Sequence, residues 1–133
     1  GFRLLDRHIL GLRPGRFYVI DARPGVGKTA LAMNIATHVA ALDGKHVLFA
    51  TLEMDNDDLA VRAACSLDET DASALVTMSD ESWRGFLTRA LGEAQAQKLH
   101  LHDDPDTTVF DVAAHARRIR TEAAKRGHEL GLV

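Results

Sequence analysis

What this chain has little of narrows its class first. Among 133 residues there is one cysteine, Cys65, which rules out an internal disulfide framework and suits a reducing compartment. Three prolines and an apolar share of 46% argue against disorder and supply enough side chain for one domain with a core. No stretch approaches the roughly 18 apolar residues that a membrane-spanning helix requires. The opening "GFRLLDRHIL" lacks the apolar centre and cleavage pattern of a secretory leader, so the cytoplasm is the expected location. Charge of one sign is also scarce. Sixteen basic against nineteen acidic side chains leave a formal net of -3, which gives no bulk case for nucleic-acid binding and leaves a local basic site open. Repeats and low-complexity linkers are missing too.

Against those absences stands a regular alternation. Short apolar runs fall at Phe17 to Ile20, His46 to Leu52, Lys98 to His102, and from Leu130 to Val133. Longer periodic segments separate them, which predicts βα units and an α/β fold with a mostly parallel sheet flanked by helices. The first helix is expected from Gly27 or Lys28 to about Leu42, with Ala30, Leu31, Met33, Ile35, Ala36, Val39 and Ala40 leaving it little polar surface. A second opens at Asp55, with Asp58 at the reciprocal capping position and Leu59, Val61, Ala64 and Cys65 on an imperfect apolar face. The third opens at Ser79 and carries Trp83, Phe86 or Leu87, Ala90, Leu91 and Ala94 at helical spacing. Thr108 with Asp111 forms another capping-box pattern, opening a helix through Val112, Ala116, Ile119 and Ala123 that stops at Gly127.

Between the first run and the first helix lies "DARPGVGKTALAMN", residues 21 to 34. The spacing is that of a phosphate-binding loop: Ala22, then Arg23, Pro24, Gly25 and Val26, then Gly27, Lys28 and Thr29. Gly25 and Gly27 can adopt backbone angles that residues with a Cβ resist, so successive N–H groups can turn inward around a phosphate. The helix that follows, entered through Thr29 and Ala30, adds its dipole. Lys28 offers an ammonium to the outer phosphates, and Thr29 a hydroxyl to magnesium. A nucleoside triphosphate with Mg2+ is therefore the expected ligand, and the loop alone leaves its base open. Ala22 stands where such loops more often carry glycine; alanine is penalised there only if φ must be positive.

"VLFATL" delivers Glu53 just past a strand expected near the middle of the sheet. Ligands of open α/β sheets bind beyond the carboxyl ends of strands, so Lys28 and Glu53 can share one crevice. A carboxylate there can orient water for in-line attack on a terminal phosphate. By position alone it can equally be an ordinary acid leading into a helix.

The order of motifs resembles the ATPase domain of hexameric replicative DNA helicases of the DnaB type, within the wider RecA-like group. The matching pieces are "GF…LD" (1 to 6), "GLRPG" (11 to 15), "ARPGVGKTALAMN" (22 to 34), "TLEM" (51 to 54), "SDESW", and "HLHDDPDTTVFDVAAHARRIR" (100 to 120). They cover almost the whole chain in order. The resemblance implies that residues 1–133 are part of a RecA-like nucleotide-binding domain. It also implies that Ala22 is a family variant, that Lys28 and Thr29 hold phosphate and magnesium, and that Glu53 activates water. Arg62 corresponds to an arginine after "LEM" and is assigned no chemistry. Two departures stand out: Asp21, where a small or apolar residue is usual, adds negative charge beside the loop, and His102 replaces an acid.

The same resemblance implies a parent that couples ATP hydrolysis to movement along single-stranded DNA and to unwinding, as a homo-hexamer, with primase engaged through an N-terminal domain. It places the magnesium-organising acid at the end of the strand begun at Leu130, and the DNA-gripping loops later still. The expectation is that this piece alone binds nucleotide weakly and turns over little. Two alternatives remain: a RecA-like ATPase of recombination or regulation, and a nucleotide-binding module without catalysis.

Other residues carry less. His100 and His102 share one side of a strand near Asp103 and Asp104, but persuasive zinc spacing is lacking, and a solvated or supporting role is preferred. Arg117, Arg118, Arg120, Lys125 and Arg126 spread around more than one helix face and read as solvated surface. Trp83 is spaced as a packing residue.

Overall fold

The segments 46–50, 99–102 and 130–132 pair through their backbones into one sheet. The computed structural model describes residues 2–41, 43–52, 54, 56–67, 77–83, 85–86, 88–89 and 98–133. Strand β1 (His46–Ala50) is central, β2 (Leu99–His102) lies on one side, β3 (Leu130–Leu132) on the other, and both pairings are parallel. Val47 sits opposite Leu99 and Ala50 opposite His102; on the other edge His46 faces Leu130, with an irregularity before Val47. Parallel neighbours need crossover connections. Among the described residues, helices α1 (Arg3–Ile9), α2 (Lys28–Ala41), α3 (Asn56–Leu67) and α4 (Val109–Lys125) interleave with these strands in the order α1, α2, β1, α3, β2, α4, β3.

Strand alternation sorts the core into two layers. On one face Met33, Leu59 and Ala63 are buried against Phe49, Leu99 and Leu101, and beside them Ala36 and Ala40 meet Val47 and Leu132. The alanines of α2 let its backbone approach the sheet closely. Thr37 is buried in this helix because its Oγ1 donates to the Met33 carbonyl at 3.0 Å, leaving the hydroxyl satisfied. The other face belongs to α4, which buries Ile119 and Ala123 and packs on β1 and β3.

The capping box expected at Thr108 is present. Asp111 N–H donates to Thr108 Oγ1 (3.3 Å), and Thr108 N–H donates to Asp111 Oδ2 (2.9 Å). Hydrogen bonds from Thr108 hold the Asp111 carboxyl below the ordinary carboxylate range, so the cap is intact above that range and is lost as pH falls through the lower folded value. Thr108→Ala is expected to destabilise the chain by about 1 kcal/mol, read as a lower urea midpoint at unchanged slope. At the other end Gly127, at φ +73°, lets His128 N–H reach the Ala123 carbonyl at 2.9 Å and closes the helix near the expected residue.

One element differs from expectation. Phe17 to Ile20 form no strand: they run without sheet pairing, with Phe17 91% and Val19 75% exposed. A strand requires a partner edge, and β3 presents only three residues there. Few bonds and little burial would offset the entropy of ordering four residues. Strand β1 also stops two residues early, and Leu52 is 63% exposed. Helix α3 begins at Asn56, while the expected cap Asp55 lies outside the described residues. Ser79 does open a helical turn: its carbonyl accepts from Trp83 N–H at 2.9 Å, and Trp83 stacks on Phe86. Leu87, Ala90, Leu91 and Ala94 lie outside the described residues.

Candidate nucleotide site

The loop from Ala22 to Gly27 is shaped by its two glycines. Gly25 has φ +79° and Gly27 φ +100°, both in the region that disfavours a Cβ. A Cβ built on either would meet nothing within 4 Å, so the requirement is conformational and the ground above the loop is open. Val26 N–H turns back on the Arg23 carbonyl at 3.4 Å, while Arg23, Pro24 and Val26 are exposed. Lys28, half-buried, is the first residue of α2, and its Nζ donates to the Ala22 carbonyl at 3.0 Å, closing the loop from its first position to its last. Thr29 is half-buried beside it, and Ala30 is exposed. Leu31 N–H bonds the Gly27 carbonyl at 2.9 Å; the N–H groups before it stand at a helix start, where intrahelical partners run out and the dipole favours an anion.

Packing shows which end of the sheet this loop occupies. Met33, early in α2, packs with Phe49 and Met54, whereas Ala36 and Ala40, later in α2, pack with Val47. Helix α2 therefore runs against β1, and its N-terminus lies where β1 finishes. Beyond Ala50 the ladder continues one step, Thr51 N–H donating to the His102 carbonyl at 2.9 Å, and Thr51 Oγ1 accepts from Met54 N–H at 3.3 Å. Glu53 lies outside the described residues; the residues on either side of it belong to this exit turn. The acidic turn after β2 arrives at the same end, closed by Asp106 N–H to Asp104 Oδ1 at 3.0 Å and by a 2.7 Å contact between His102 Nε2 and Thr107 Oγ1. Arg62 is exposed on α3.

The family profile of the DnaB-like helicase C terminal domain matches residues 1–133. The chain belongs to that family. It is 36% identical over 125 residues to the replicative DNA helicase DnaB of Geobacillus stearothermophilus, and 35% identical over 125 residues to the replicative DNA helicase DnaC of Bacillus subtilis (strain 168). Against DnaB of Haemophilus influenzae it is 31% identical over 125 residues. Each match covers 92% of this chain and 27% of the relative, so the chain spans about a quarter of the length of these relatives. A parallel three-stranded sheet with helices on both faces agrees with a RecA-like reading of the DnaB-like domain.

Two further features of this DnaB-like domain were hidden in the sequence. An open groove of about 630 Å³ runs between α1, α2 and the outer edge of β3, bordered by Leu5, Ile9, Tyr18, Val39 and Leu132; no residue of the phosphate loop lines it. The second is a set of histidines on the α4 face of the sheet. The L-H-L-H alternation of β2 places His100 and His102 together, and each, half-buried, meets another imidazole ring. Among the described residues, no helix is long and apolar enough to cross a membrane and no group of three or more acidic, histidine or cysteine side chains could hold a metal ion.

Proposed function

We propose that this chain is the ATP-binding part of a replicative DNA helicase motor, working in the cytoplasm. The observation that carries the reading is the loop itself: two glycines at positive φ, a lysine at the head of α2, and that helix start set where β1 ends. The residues fit a magnesium nucleotide. Backbone N–H groups of Gly25 to Thr29 and the Lys28 ammonium would hold the phosphates, and the Thr29 hydroxyl would bind the metal. Bound magnesium supplies charge neutralisation at the phosphates. Arg23, Pro24, Val26 and Ala30 shape the rim, and Glu53 is the acid proposed to orient water. The Lys28 Nζ–Ala22 carbonyl contact at 3.0 Å supports this reading, since it sets the ammonium beside the first position of the loop.

In the whole protein this site would drive a homo-hexamer along single-stranded DNA, with primase docking elsewhere on the parent. The 133-residue chain is expected to hold nucleotide weakly, because the segment leading into its loop, Phe17 to Ile20, has no sheet partner to anchor it. The test is a polypeptide extended to the length of its relatives. ATP hydrolysis stimulated by single-stranded DNA, together with duplex unwinding, supports the helicase reading. Stimulated hydrolysis without unwinding would move the assignment to a recombination or regulatory ATPase. Binding without hydrolysis would leave a nucleotide-holding module.

A further inference from the structure

Five histidines come together along the seam between the sheet and α4. His46 lies on β1, His100 and His102 on β2, His115 on α4, and His128 just after it. His46 Nδ1 and His100 Nε2 are 2.8 Å apart with their rings stacked at 5.1 Å, and His128 tilts against His46 at 5.9 Å. Farther along β2, His102 meets His115 edge-on at 5.1 Å. Nitrogen–nitrogen contact at hydrogen-bond distance requires one ring to accept, and only a neutral imidazole can. Two imidazoliums have no acceptor between them.

The surroundings oppose the second charge. Lys98 Nζ contacts His128 Nδ1 at 3.0 Å, and Lys98, His128 and Arg126 all bear on His46 with positive charge. Arg118, His102 and His100 do the same to His115. Glu122 of α4 is the opposing acid, acting on His100 and His115. His46 Nε2 is buried and has no hydrogen-bond partner among the described residues, so a proton placed there would be a stranded donor.

We propose that the His46–His100 pair, with its flanking rings, is an acid-released latch: while one ring stays neutral it ties β1 to β2 beneath α4, and protonation of both sets like charges against each other under that helix and loosens the seam. Burial, first, and neighbouring cations push His46 and His115 below the ordinary histidine value, and burial does so for His100 against the pull of Glu122. A depressed histidine contributes stability that is complete above its ordinary value and is lost as pH falls below it, because the unfolded chain then binds more protons. The seam ends at His102, whose carbonyl holds Thr51 N–H, so its opening reaches the strand ends beside the nucleotide loop. The latch stands independently of the helicase reading.

Urea unfolding of the 133-residue chain between about pH 7.5 and about pH 5.5 tests this, in an interval above ordinary carboxylate titration. The folding constant should fall with a slope approaching about tenfold per pH unit for each proton taken up on unfolding. His46→Val with His100→Val should flatten that slope, while His8→Gln on exposed α1 should leave it unchanged. A flat profile in the parent chain, or an equally steep one in the double variant, overturns the latch. If the double variant does not fold, ring resonances of the unmodified chain decide. His46 and His100 should protonate below about pH 6.5, with amide exchange in α4 quickening over the same range. Protonation at or above that value, or α4 amides that stay protected, would overturn it equally.

Discussion

Replacing Lys28 with alanine is expected to weaken binding of a magnesium nucleoside triphosphate by about 10- to 100-fold, the worth of one charge-assisted hydrogen bond between ammonium and phosphate. The loss should be specific. Lys28 opens α2, alanine is a better helix former than lysine, and the helix is held by Met33, Ala36 and Ala40 farther along. What the folded chain gives up is the 3.0 Å contact to the Ala22 carbonyl at the rim of an open loop. Thermal unfolding should therefore change little while a fluorescent triphosphate titration changes greatly. Lys28→Arg should recover only part of the affinity, since a planar guanidinium does not replace a compact ammonium in a tight loop. Equal binding by the parent chain and the alanine variant would remove the lysine from the phosphates.

A second large effect is expected in the core. Leu59 is 0% exposed and meets Met33 and Ala63 where α2, α3 and the sheet join. Leu59→Ala should cost about 2–5 kcal/mol, against a total stability of about 5–15 kcal/mol for a domain of this kind. The same cluster includes Met54, on the exit turn of β1, so the cavity should also loosen the end of the sheet where the loop sits. Nucleotide affinity is expected to fall along with the urea midpoint. Leu52→Ala, at a residue 63% exposed, should shift the midpoint by no more than about 0.5 kcal/mol. Similar losses from both would contradict the packing described.

The parts legible in the sequence are those decided locally. Gly25 and Gly27 declare their backbone angles, Lys28 its place in the loop, and Thr108 with Asp111 the start of a helix, because each depends on residues within a turn of itself. The alternation of apolar runs and helical segments gave three parallel strands in the expected places. Phe17 to Ile20 were misread because strand-like composition says nothing about whether an edge is present to receive it. The histidine seam was partly visible at His100 and His102. His46, His115 and His128 join it only through cross-strand register and the way α4 lies, which are relations between distant segments. Thr51 and Thr107 tie down the strand ends for the same reason and bear no sequence signature.

The most direct test of the nucleotide site is amide mapping by NMR as the 133-residue chain is titrated with magnesium and a non-hydrolysable ATP analogue. The account predicts that the largest shifts cluster at Gly25 to Ala30 and at Glu53, and that Lys28→Ala removes both sets together. Shifts confined to the groove beside β3, or shifts at the loop that survive loss of the lysine, would contradict it.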